Sequence, residues 1–251
     1  MKNIDLNCDM GESLPGKIIG ADDAIMPWIS SASIACGFHG GSPEIMVQTI
    51  RKAHAQGVAV GAHPSFPDIE GFGRREMERE SEDIFSMVLY QVGAMKAFTN
   101  WLGVPLHHVK AHGALYNMAA VRPSYAEAIA AAVKQVDPAV CVYGLAGSAM
   151  IRAAEENGLP VCSEVFADRR YMPNGTLAPR SMPGAVIHDE AEAVEQVLSM
   201  VKDQRVRSIS GEWIRLKADT ICIHGDHTGA ATFAQVLRRA LEAEGFQIRA
   251  H

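Results

Sequence analysis

Several apolar runs in the 251-residue chain end on a group that can move a proton or hold a cation: Asp9 after "NIDLNC", His63 after "VAVGA", His112 after "HHVKA" and His224 after "TICI". Near the first, Asp5, Asp9 and Glu12 fall within eight residues. Carboxylates crowded into a cleft raise one another's pKa, so one could stay protonated as a general acid, or all could face a cation. Asp9 with imidazoles from later segments has the ligand types of a divalent-metal site that activates water. Yet no HExxH, HxH or CxxC motif gathers ligands locally, so a metal-free, hydrogen-bonded polar network accounts for the same residues. Lys110 precedes His112 on the same alternating face. Turned inward, it requires a carboxylate, a phosphate or Asp9 as partner; otherwise it reaches past the strand end into water.

Arginines concentrate in two irregular stretches. "FGRR" (72–75) carries Arg74 and Arg75, and "DRRYMPNGTLAPRS" (168–181) carries Arg169, Arg170 and Arg180. Guanidinium forks suit carboxylates and phosphates, so two such pairs in an acidic chain point to an anionic substrate. "YGLAGS" (143–148) could present backbone N–H groups to a phosphate at a helix start. There is no Walker A motif, so a nucleotide would bind without a P-loop. No GxSxG elbow is present, which leaves a serine nucleophile unsupported. The five cysteines are far apart, form no CxxC pair and sit in apolar runs. They read as buried, reduced thiols.

The elements that would position these groups alternate along the chain. Seven strand-like runs, at 3–8, 33–38, 57–62, 107–112, 139–144, 160–166 and 220–225, are separated by helical patterns, the signature of parallel βα units. Helices are expected over 42–57, opened by Ser42-Pro43, over 81–103, capped by Ser81 and stopped by Gly103, and over the segments 124–138 and 147–160. Residues two apart in a strand share a face. Ile4, Leu6 and Cys8 therefore oppose Asp5, Asn7 and Asp9, and Val109 and Ala111 oppose His108, Lys110 and His112. With the greasy faces against outer helices, the polar faces look into a barrel, and Asp9, His39, His63, His112, Glu164 and His224 ring its mouth. Reacting groups of (β/α) barrels sit at that C-terminal end. The small residues Ala35, Gly37, Ala59 and Gly61 would leave room there, and the stretches 64–80 and 167–187 would be the rim loops. His54, His107, His188 and His251 lack the pattern. The expected organisation is one (β/α) barrel domain over 1–251.

With 48% hydrophobic residues and a net charge of −6, the chain can bury a sizeable core and has no field that would attract nucleic acid or an anionic membrane. No apolar run approaches the ~20 residues of a membrane span, and the first residues do not read as a signal peptide. A cytoplasmic protein is expected.

"DLNCDMGES", "SIACGFHGG", "VGAHPSFPD", "FGRR", "VKAHGALYN", "EVFADRRY" and "ICIHGDHTGA" together resemble the LamB/YcsF family, in unbroken order from residue 3 to 248. The resemblance implies a seven-stranded (β/α) barrel of the glycoside hydrolase/deacetylase type. It also implies ATP-dependent 5-oxoprolinase activity, cleaving 5-oxo-L-proline to L-glutamate with ATP hydrolysed to ADP and phosphate. This chain would be the A subunit, working with the B and C subunits. On that reading Asp9, His63, Lys110 and His112 are the catalytic candidates, and Asn7, His39, Arg74, Arg169, Arg170, His224 and Asp226 the substrate-binding ones. A more distant resemblance to metal-dependent deacetylases offers Asp9, His63 and His112 as ligands if an ion is present; magnesium with ATP is the other divalent ion to expect. Two alternatives stay open: a metal-dependent deacetylase of a sugar or small amide, and a non-catalytic subunit that binds 5-oxoproline for its partners. A homo-oligomer is also left open.

Overall fold

A computed structural model describes residues 2–14, 16–225 and 229–251. Six strands follow in order: β1 (Lys2–Met10), β2 (Ser31–Ala35), β3 (Ala59–His63), β4 (Leu106–Lys110), β5 (Cys141–Leu145) and β6 (Val161–Phe166). A short antiparallel pair, β7 (Arg205–Arg207) and β8 (Trp213–Arg215), precedes β9 (Thr220–Ile223). Strands β1 to β6 pair in parallel in sequence order, β9 joins β6, and β9 pairs back onto β1. The sheet thus closes as the expected seven-stranded barrel. A strand absent from the sequence reading, β10 (Phe246–Ile248), pairs with the first residues of β1, below the point where β9 takes over.

Parallel neighbours require crossovers, and helices supply them: α1 (Asp22–Ile25), α2 (Pro43–Ala55), α3 (Ser81–Leu102), α4 (Gly113–Val121), α5 (Pro123–Val136), α6 (Ala149–Glu156), α7 (Glu190–Asp203) and α8 (Ala230–Ala243). Ser42 caps α2 by accepting from the Ile45 N–H, with Pro43 in the first turn. At the end of α3, Gly103 adopts φ 68°, the left-handed conformation that glycine takes without penalty. Ser81 is not the cap expected of it: Glu80 holds that position, and no side-chain bond is made there. α4 escaped the periodic pattern because it is buried nearly all round, at Ala114, Leu115, Tyr116, Met118, Ala119 and Ala120. Among the described residues no helix is long and apolar enough to cross a membrane.

The outer strand faces, such as Ile4, Leu6, Cys8 and Met10, join the core beneath the helices. The interior is polar instead. Asp5 accepts hydrogen bonds from Ser30 (2.6 Å), Ser31 (2.7 Å) and Thr220 (2.6 Å). Higher in the barrel, His108 Nε2 lies 3.1 Å from Ser33 Oγ, and its ring stacks on Tyr143 with centroids 4.1 Å apart. That ring occupies the space left by Gly61, where a Cβ would lie 2.2 Å from His108 Nε2. Gly61→Ala is therefore expected to destabilise the barrel by about 1–3 kcal/mol, read as a drop in Tm; an unchanged Tm would show that His108 is free to move aside.

Candidate active site at the barrel mouth

Lys110 projects from β4 into the barrel axis and is only 2% exposed. Its Nζ lies 2.6 Å from Asp9 Oδ1, 2.8 Å from Asn7 Oδ1, 3.1 Å from Glu164 Oε1 and 3.4 Å from Cys222 Sγ. Burial pushes the ammonium down. Asp9, Cys222 and Glu164 outweigh it and hold Lys110 well above the usual lysine range. Asn7 completes the floor by donating from Nδ2 to Glu164 Oε1 (2.9 Å) and Thr220 Oγ1 (2.7 Å). Burial likewise raises Asp9, but His63 and Lys110 reverse the effect and keep its carboxyl well below the carboxylate range.

A second cluster sits beside Asp9. His63 Nδ1 lies 2.7 Å from the Lys110 carbonyl, and His112 Nε2 lies 2.9 Å from the Phe72 carbonyl. Carbonyls only accept, so both nitrogens carry their protons. With both rings neutral, the remaining nitrogens, His63 Nε2 and His112 Nδ1, face each other at 3.0 Å with lone pairs; a proton on His63 Nε2 would instead go to Asp9 Oδ2, 3.2 Å away. His39 repeats the logic. Its Nδ1 donates to Ser65 Oγ (2.9 Å), whose own proton goes to the Phe66 carbonyl (2.8 Å), leaving the Nε2 lone pair 3.0 Å from Glu12 Oε1. That oxygen is also 3.4 Å from His112 Nδ1. Converging acceptors need a proton or a cation between them. Burial depresses the basicity of His39 and His112, which disfavours the proton.

The set fits a divalent transition ion. The ligand atoms of Glu12, His39, His63 and His112 all lie within 4.8 Å of one another, with nearest separations of 3.0–3.4 Å against an edge of about 3.3 Å for a tetrahedral site. Outer hydrogen bonds to ring N–H groups are what orient metal-binding histidines. The grouping differs from the Asp9, His63 and His112 set that the resemblance implies. Asp9 Oδ1 is taken by Lys110, while its Oδ2 lies 3.2 Å from His63 Nε2. Glu12 and His39 stand in the group instead. The Phe72 carbonyl is aimed by an unusual backbone, φ 55°, which is strained for a bulky residue.

Above these groups lies a cavity of about 570 Å³ lined by Asp9, Glu12, His63, Lys110, His112 and His224, with Arg74 and Arg169 from the rim loops. The other expected site residues are placed elsewhere. Asn7 is buried below the cavity floor, and His39 lies behind its wall, stacked on His112 at 3.8 Å. β2 ends at Ala35, so His39 stands in the following turn rather than on the strand's inward face. Arg170 pairs with Glu192 on the outer side of its loop. Asp226 lies outside the described residues. Sequence reasoning did not single out Asp168, which is buried and holds His224 Nδ1 at 2.8 and 2.9 Å. Nor did it single out Tyr116, whose buried hydroxyl is raised by burial and by Glu164. Asp168 continues the alternation of Glu164 and Phe166, a signal that was available.

The barrel and its mouth define a (β/α) protein that carries its ionisable groups at the C-terminal ends of its strands. More narrowly, the chain belongs to the LamB/YcsF family, whose profile matches residues 4–251. It is 54% identical over 250 residues to the A subunit of 5-oxoprolinase from Tolumonas auensis, covering 100% of both chains. Among solved structures, the lactam utilization protein of Thermus thermophilus superposes with a TM-score of 0.93 at 48% identity, over 100% of each chain. A polysaccharide deacetylase of Bacillus cereus matches with a TM-score of 0.50 at 13% identity, over 100% of this chain and 92% of that one, a likeness of fold alone.

The histidine cluster predicts retention of a divalent transition ion, measurable by elemental analysis and titration. His39→Ala and Glu12→Gln should each weaken metal binding by at least the ~10–100-fold typical of losing an outer partner. Wild-type protein holding no more metal than a His39→Ala/His112→Ala variant would contradict the assignment.

Proposed function

We propose that this chain is the A subunit of an ATP-dependent 5-oxoprolinase and carries the lactam-opening site in its barrel mouth. The observation that carries the reading is the full-length identity of 54% to a protein named as the A subunit of 5-oxoprolinase. A cavity with room for a small ring and a phosphoryl donor, with a lysine–carboxylate floor and arginines on its rim, supports it. A five-membered lactam is resonance-stabilised and recloses readily, so opening needs activation. In the proposed course the lactam oxygen attacks the γ-phosphorus of ATP, forming O–P as the bond to ADP breaks. Water then adds to the ring carbon, and the C–N bond breaks as nitrogen takes a proton, leaving a γ-glutamyl phosphate. A second water releases phosphate and L-glutamate.

Asp9, aimed by Lys110 and facing the cavity, takes the proton of the attacking water and passes it to the leaving nitrogen. Lys110 offsets the negative charge of the phosphoryl group carried by the activated lactam oxygen. A metal held by Glu12, His39, His63 and His112 would supply Lewis-acid chemistry at the same spot. The B and C subunits complete the enzyme on this reading, with ATP as co-substrate of the whole assembly. The histidine cluster also favours a second reading, a metal-dependent amide hydrolase that needs no ATP.

In the complex reconstituted with its partner subunits, 5-oxoproline turnover should require ATP. Asp9→Asn and His112→Ala should lower kcat by about 10²–10⁴-fold with assembly intact. Full turnover by either variant would exclude those roles, and turnover without ATP would favour the second reading.

A further inference from the structure

The rim loop after β6 contains a buried guanidinium, Arg169, near the Asp168 carboxylate. Arg169 is 5% exposed and lines the cavity. Its Nη2 donates to the Ala178 carbonyl at 2.6 Å, while its Nε is buried and has no hydrogen-bond partner among the described residues. A buried cationic fork left partly unmet is costly unless a ligand completes it. Arg180, exposed on the same loop, lines the same cavity. The two guanidinium groups repel: burial, then Arg180, lower Arg169 to about 10. The neighbouring carboxylate, Asp168, gives both oxygens to His224 Nδ1. Among Asp168, Arg169 and Arg180 of this loop, one carboxylate against two guanidiniums leaves a single positive charge, the complement of a monoanion.

We propose that Arg169 and Arg180 form the anion subsite of the cavity and receive the carboxylate of the substrate, with Arg169 as the buried anchor and Arg180 as the outer partner. The inference rests on the 5-oxoprolinase reading for the identity of that substrate. Guanidinium edges match carboxylates in a plane, with two parallel N–H···O bonds. The single net charge favours a carboxylate over a phosphate dianion. Leu145 and Phe166 line the same cavity and would flank the apolar ring carbons. With the carboxylate fixed at the rim loop, the lactam carbonyl extends toward Asp9 and Lys110. The subsite thus serves as a specificity device: it selects lactams that carry a carboxylate and sets their orientation.

The test compares 5-oxo-L-proline with its carboxamide and with 2-pyrrolidinone, using the reconstituted complex. Wild type should prefer the acid, and Arg169→Gln should raise KM for the acid by about 10- to 100-fold with a smaller change in kcat, erasing the preference. Arg169→Lys should recover part of it. Arg180→Gln, at an exposed position, should move KM the same way by less, and it guards against misfolding of the buried variant. Equal losses for acid and carboxamide would overturn the proposal by assigning Arg169 a structural role. Inhibition by inorganic phosphate that is Arg169-dependent and stronger than that by small carboxylates would overturn the choice of carboxylate. If wild-type complex turns over no 5-oxoproline, the functional reading fails. Calorimetric titration of the intact chain with the acid and carboxamide then decides the subsite: acid-selective binding lost in Arg169→Gln sustains it, and no selectivity overturns it.

Discussion

The Lys110 ammonium, enclosed by Asp9, Asn7, Glu164 and Cys222, is the interaction on which the rest of the mouth depends. An isolated charge cannot be kept in a barrel interior, and removing one partner of a buried pair costs about 3–5 kcal/mol. The lysine therefore ties β4 to β1, β6 and β9, strands far apart in sequence. Its own carbonyl fixes the tautomer of His63, so one residue sets both the charge of the floor and the lone pair aimed at His112. Asp9 is the link between the two clusters, with one oxygen on the lysine and the other at His63.

This arrangement requires a barrel whose inner face carries many polar groups. Below the mouth, Asp5 with its hydroxyl donors, His108 hydrogen-bonded to Ser33, and the Tyr143 ring stacked on His108 fill the interior. Such a network specifies one packing, because a shifted strand register would strand a buried charge. Rigidity below allows precision above. The rim loops, which hold Arg74 and Arg169, add their contacts above that floor.

Much of this was legible from strand phase. The polar alternation of Asp5, Asn7 and Asp9 identified the inward face of β1, and the seven strand runs implied closure, since each crossover helix covers the greasy face it follows. Phase gives the side of a strand but not the depth. Asn7 and Asp9 share a face, yet one lies under the floor and the other in the cavity. Nor does phase survive the strand's end. His39 reaches His112 through a turn in which Gly37 takes φ 86° and Gly41 φ 83°, geometry that no period-two pattern describes. Arg170 was indistinguishable from Arg169 in sequence, because the isolated bridge of Arg169 to Val186 that fixes the local strand geometry is long-range. Glu12 stood among the three clustered carboxylates, but its meeting with His39 and His112 depends on the turn at Gly11, φ 66°.

The mouth offers a lysine–carboxylate floor and imidazoles placed to hold an ion, on an architecture nearly identical to that of a lactam utilization protein. The central claim is that the lactam is opened in this cavity. A crystal structure of the chain soaked with 5-oxo-L-proline tests it most directly. The account predicts the ring within the mouth, its carbonyl beside Asp9 and Lys110 and its carboxylate at Arg169. Well-ordered ligand bound only outside the barrel mouth, or a ring turned with its carboxylate toward Asp9, would contradict it.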